Sequence, residues 1–147
     1  MSTNWQIIQH DIWQCDACTH IDRVELNIRQ QTQHPTRPVR LLVVGIAPPF
    51  KKLEIREKIP AQSATNDPSD NLREFLETTC KESWEGLIRR GLFVLHATKC
   101  AIQPYQGHQN PPNGVVEECV PRHLFREFVE IKPRLLSLLV NAPSELF

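Results

Sequence analysis

Cys15-Asp16-Ala17-Cys18 is the segment of this sequence most ready to do chemistry. Two residues between thiols is a spacing at which both sulfurs can face one metal. The chain carries five cysteines in all. Cys100 directly follows an apolar run, and Cys119 lies in or just before a helical pattern. A tetrathiolate set of Cys15, Cys18, Cys100 and Cys119 must therefore be assembled by the fold, because nothing local joins the three sites. Four thiolates suit zinc or an iron–sulfur cluster. The compact second pair of a zinc ribbon is absent. Other chemistry stays open at this point: a lone cysteine is commonly a buried small hydrophobe, and a C-x-x-C near a βαβ pattern can be a redox dithiol. Cys80 falls on an apolar helical pattern and reads as a buried core thiol.

The elements that would position these thiols follow from hydrophobic periodicity. Trp5, Ile8, Ile12 and Trp13 share one face of a first helix. A second helix is expected over about Ile21–Gln31, with Val24, Leu26 and Ile28 as its apolar residues, and the stretch from Gln30 to Pro38 reads as a polar connection. Leu41-Leu42-Val43-Val44, Leu92-Phe93-Val94-Leu95 and Leu135-Leu136-Ser137-Leu138-Leu139-Val140 are short continuous apolar runs. Such runs fit strands buried on both faces, as in a parallel sheet. Helical patterns cover Asn71–Cys80 and Trp84–Arg90. A further stripe joins Val116, Val120, Leu124, Phe128 and Ile131, with Pro121 either kinking it or marking its start. Lys51 to Asp70 is expected to be a surface loop. Strands alternating with helices predict a layered α/β fold with helices on both faces. Three strands make a small sheet, so a missing edge strand is expected.

A length of 147 residues fits one domain with its own core. Lys plus Arg and Asp plus Glu are 17 each, so no whole-chain field draws in nucleic acid or anionic lipid. Locally, Lys51, Lys52, Arg56 and Lys58 outnumber the acids among them, as do Arg122, Arg126, Lys132 and Arg134. Either run is a solvated face unless the fold sets it beside a phosphate. No apolar run approaches a membrane span, and Met1–Gln14 lacks the pattern of a signal peptide. The expectation is a cytoplasmic monomer with no membrane partner.

Four segments, in order and at matching spacing, resemble the iron–sulfur uracil-DNA glycosylases, the thermophile-type, family 4-like branch of that superfamily. Those proteins carry an N-terminal C-x-x-C, then a strand ending G-E-A-P-G, then a strand leading into N-x-x-K-C, then a Cys opening a helix that ends in K-P before an apolar strand. Here the segments are Cys15–Cys18, Leu41–Pro49 ending Gly45-Ile46-Ala47-Pro48-Pro49, Phe93–Cys100 ending His96-Ala97-Thr98-Lys99-Cys100, and Cys119-Val120-Pro121 with Ile131-Lys132-Pro133. The similarity runs from about Cys15 to the end.

The resemblance implies a single domain over residues 1–147, a three-layer α/β/α sandwich around a short, mostly parallel sheet. It has an N-terminal helical, cluster-binding segment over about residues 1–34. It implies a [4Fe–4S] cluster on Cys15, Cys18, Cys100 and Cys119, with zinc as the alternative. It implies base-excision repair, in which the N-glycosidic bond of uracil or another deaminated base is hydrolysed after the base is flipped from single- or double-stranded DNA. The base and DNA-binding positions would be Gly45, Ile46, Ala47, Pro48, Phe50 and His96. Ile46 stands where the family has the acidic residue of G-E-A-P-G, and His96 where it has an amide. The family's late His-Pro-Ser loop and its strand have no counterpart before Phe147. No catalytic residue is assigned, and the alternative is a non-catalytic, cluster-bearing nucleic-acid-binding or interaction module of the same fold.

Overall fold

Two apolar runs meet in register at the centre of the molecule. In the computed structural model, which describes residues 3–29, 32–48, 54–55, 70–103 and 110–138, strand β2 (Leu41–Gly45) lies parallel to β4 (Leu92–His96). Leu41 pairs with Leu92 and Gly45 with His96. On the other side of β2, β6 (Leu135–Leu138) also runs parallel, so this sheet has the order β4-β2-β6. The third apolar run is thus a strand, and Leu139 and Val140 lie outside the described residues.

Successive side chains of a strand point to opposite faces, and here each face feeds its own core. Leu42, Val44, Phe93 and Leu95 pack with Trp5 of helix α1 (Thr3–Gln14) and with Leu124. Val43, Leu92 and Val94 pack with Leu72 and Leu76 of α2 (Asp70–Cys80) and with Trp84 and Leu87 of α3 (Trp84–Arg89). The molecule is therefore α/β with a small parallel sheet. Among the described residues no helix is long and apolar enough to cross a membrane.

The expected second helix is not formed. Residues Val24–Arg29 are a strand, β1, antiparallel to β5 (Cys100–Ile102) and to the two-residue β3 (Glu54–Ile55). Val24, Leu26 and Ile28 are spaced by two, the strand period, and backbone pairing with β5 outweighs any helical preference. The N-terminal segment is thus helical only through Gln14, and a second sheet of order β3-β1-β5 stands where the sequence leads one to expect a single sheet. Glu54–Ile55 likewise falls within the stretch expected to be a surface loop. Of the rest of that stretch only Asp70, which opens α2, lies within the described residues.

Helix ends follow ordinary capping chemistry. Ser83 caps α3, its hydroxyl accepting from Gly86 N–H at 3.1 Å. Helix α2 closes with Lys81 at φ 52° and Glu82 N–H donating to the Glu77 carbonyl at 3.2 Å, the 6→1 bond of a Schellman ending. Cys80, the last residue of α2, is exposed rather than the buried thiol expected. Gly91, at φ 99°, turns the chain from α3 into β4 while its carbonyl accepts from Arg40 N–H at 2.8 Å. A Cβ there would stand 3.1 Å from Arg40 N. Gly91→Ala should lower unfolding stability by about 1–2 kcal/mol, the cost of forcing a side chain into this conformation. Urea denaturation would show it as a lower midpoint with unchanged slope.

Candidate metal centre

Helix α1 ends one residue before the first thiol. Cys15 N–H still donates to the Ile12 carbonyl at 3.2 Å, and Ile21 N–H donates to the Cys18 carbonyl at 3.1 Å. The C-x-x-C pair is thus wound into a tight turn on the end of α1. Cys100 sits where the chain changes sheets. After β4, Ala97 N–H and Thr98 N–H still donate to the carbonyls of Gly45 and Ile46, at 2.8 and 3.1 Å. Cys100 then opens β5 opposite Arg29.

The fourth thiol comes from a long helical arm. Helix α4 (Asn113–Cys119) runs into a π-helical turn at Val120–Leu124 and on into α5 (Phe125–Ile131). Pro121 has no N–H for an α-type bond, and the wider turn takes up that missing donor without ending the helix. Pro121 is therefore neither the start nor a break. Cys119 lies just before this turn and His123 within it.

These three segments converge. Cys15, Cys18, Cys100 and Cys119 all line one small cavity, together with Ile12, Lys99, Arg122 and His123. Cys18, Cys100 and Cys119 are buried and Cys15 is half-buried. Ile102, Val115, Ile21 and Val24 surround Cys18 and Cys119 with apolar contact. No disulfide links any of the cysteines. Among the described residues no set of three His, Cys, Asp or Glu side chains is spaced to hold a single metal ion. The fit to a metal centre therefore rests on the donor set and its electrostatics.

Those electrostatics keep the buried thiols protonated in the absence of a cation. Burial, and then the charges of Cys119 and Cys15, push the Cys18 thiol up to about 11. Burial also raises Cys119, against the backbone N–H and ammonium of Lys99, which favour its thiolate. Thiolates that repel one another in an apolar setting are held together by a positive centre, and loading it must expel protons. The four-sulfur set, with a backbone N–H and two cationic side chains close by, fits an iron–sulfur cluster, which carries net negative charge once its thiolates are counted. Arg122, tied to Glu118 at 2.9 Å, lines the same cavity.

A buried polar chain braces the site from behind. Lys99 Nζ donates to the His96 carbonyl at 2.7 Å and forms an ion pair with Glu127 Oε1 at 2.5 Å. Gln9 Nε2 donates to Glu127 Oε2 at 2.8 Å, and Gln9 Oε1 accepts from Thr32 N–H at 2.8 Å. Trp5 Nε1 donates to the Thr32 carbonyl at 3.0 Å. Sequence reading misses Glu127 and Gln9. Their one signal is a polar residue on the inner side of an amphipathic helix.

The expected base-contact positions lie at the C-terminal ends of β2 and β4. His96 is 1% exposed, and burial beside the Lys99 ammonium pushes its imidazole down to about 3. Its ring lies against Gly45, where a Cβ would meet His96 Cδ2 at 2.9 Å. Ile46 packs onto the core on the α1 face, Ala47 onto the thiol cluster, and Pro48 is buried. Phe50 lies outside the described residues, as do Lys51, Lys52, Arg56 and Lys58. No family model matches this chain, and no curated protein matches it.

Proposed function

We propose that this chain is a uracil-DNA-glycosylase-like protein: a three-layer α/β/α sandwich, stapled by a [4Fe–4S] cluster, that binds DNA and hydrolyses the N-glycosidic bond of uracil or another deaminated base. The observation that carries the reading is the cavity lined by Cys15, Cys18, Cys100 and Cys119 from three distant segments. Four cysteines scattered as ordinary core residues have no reason to meet. Their order along the chain is also the order of the family that the sequence resembles. A thiol-ligated cluster suits a reducing, cytoplasmic setting.

Bound there, the cluster supplies a cross-link between the turn after α1, the β4–β5 junction and α4. The chain's own residues do the rest. Gly45, Ile46, Ala47, Pro48 and His96 sit at the carboxyl ends of parallel strands, the edge at which open α/β sheets bind ligands. A flipped nucleotide entering at that edge would be held against the Gly45–Pro48 turn, with Ile46 and Pro48 keeping out bulk water apart from the one molecule that hydrolysis consumes.

A second reading, the non-catalytic module of the same fold, is favoured by one specific observation. Ile46 offers neither a base nor a charge, and His96 is buried under Gly45 rather than presented to solvent. The test is incubation of the purified protein with single- and double-stranded oligonucleotides holding one uracil, scored for abasic sites and for binding at rising salt. Base release supports glycosylase action. Binding that weakens with salt, without release, supports the module. Neither release nor binding removes DNA from the account.

A further inference from the structure

We propose that His123 serves the thiol-lined cavity as a hydrogen-bond donor to sulfur, setting the reduction potential of the centre held there; this rests on the cluster reading above. His123 lines the same cavity as the four cysteines and is 2% exposed. Among the described residues neither of its ring nitrogens has a hydrogen-bond partner. A buried imidazole left without partners is costly, and such groups in native structures call for an explanation. The cavity that the ring faces is lined by sulfur, a weak acceptor as thiol and a stronger one as thiolate or cluster sulfide.

Burial, and then Lys99, Arg122 and Arg126, push His123 down, with Asp11 the opposing carboxylate. In either protonation state an imidazole carries at least one N–H donor. Arg122 and Arg126 are already engaged, by Glu118 at 2.9 Å and Asp11 at 2.7 Å. His123 is thus the buried donor left over. A hydrogen bond to cluster sulfur favours the reduced, more negative state, and such bonds are among the levers by which proteins tune these potentials.

The test compares the holoprotein with His123→Phe, which fills the site without a donor, and His123→Gln, which restores one. Iron and sulfide content and the midpoint potential are measured on each. The Phe variant should keep its cluster while the reduced-to-oxidised ratio at fixed potential falls about tenfold, a drop of about 59 mV for a one-electron couple. The Gln variant should recover most of that shift. Should the Phe variant not fold, the unsubstituted protein labelled with ¹⁵N-histidine and reduced at low temperature gives the same answer by pulsed electron paramagnetic resonance. Weak nitrogen coupling is expected. Strong coupling, or iron lost with the imidazole, would make His123 a ligand and overturn the proposal, as would an unchanged potential in a brown Phe variant or no coupling at all. A colourless native protein would instead overturn the cluster reading, and this inference with it.

Discussion

Glu127→Ala should destabilise the protein by about 3–5 kcal/mol, the usual cost of removing one partner of a buried ion pair. Glu127 is 0% exposed and Lys99 only 2%, so the ammonium left behind has no access to water. Gln9 would lose the acceptor for its amide as well. The loss is dominated by the stranded charge rather than by the worth of the pair, since desolvation largely cancels the attraction. Replacing both partners by apolar residues of similar volume, as in Lys99→Met with Glu127→Leu, should therefore recover most of what Glu127→Ala loses. Urea denaturation of the native protein, the single variant and the double variant reads both numbers. Equal losses in the single and double variants would mean that the pair is not the strut described. The strut matters for the site because Lys99 precedes Cys100, and its backbone N–H points at Cys119.

Acid should destabilise the protein, with His96 the largest single contributor. Its folded-state value of about 3 lies below the ordinary value of 6.5. Above pH 6.5 both states hold it neutral and it adds no pH dependence. Below that, the unfolded chain takes up a proton that the folded one refuses, so stability falls by about 1.4 kcal/mol per pH unit until the pH approaches 3. The whole contribution is on the order of 5 kcal/mol. His96→Asn removes the titrating group at a position facing Gly45. Its stability should fall less steeply in mild acid than that of the native protein, the remaining slope coming from His123, which burial holds down in the same way. Parallel pH profiles for the two would place the acid sensitivity elsewhere.

The elements that can be read from sequence are those whose pattern has one explanation. Leu41–Val44 and Leu92–Leu95 are too short and too uniformly apolar for anything but buried strands once Gly45 and Gly91 bound them. Val24, Leu26 and Ile28 are ambiguous, because three apolar residues spaced by two can be forced onto a broad helical face. What decides for a strand is β5, a partner far along the chain that no local window contains. Cys80 misleads for a related reason: its spacing from Leu76 places it on the apolar stripe, but the helix ends at Cys80 in the Lys81 turn and the thiol is exposed.

The candidate metal centre is legible in a different sense. Cys15 and Cys18 announce themselves by spacing, whereas Cys100 and Cys119 are joined to them only through a family resemblance, and the fold independently brings all four to one cavity. The supporting groups are not legible. Pro121 looks like a helix breaker, and only the π-turn shows how Cys119 and His123 stay on one continuous arm. Lys99 and Glu127 are an ion pair between distant segments, and charged residues give no sign in sequence that they are buried.

The most direct test of the central claim is an iron and acid-labile sulfide count on protein purified without oxygen, with the visible spectrum of the same sample. About four irons and four sulfides per chain and a broad brown absorption are expected. Those should be lost in Cys100→Ser and Cys119→Ser and kept in Cys80→Ser. A folded, colourless protein holding about one zinc, or no metal, would contradict the account.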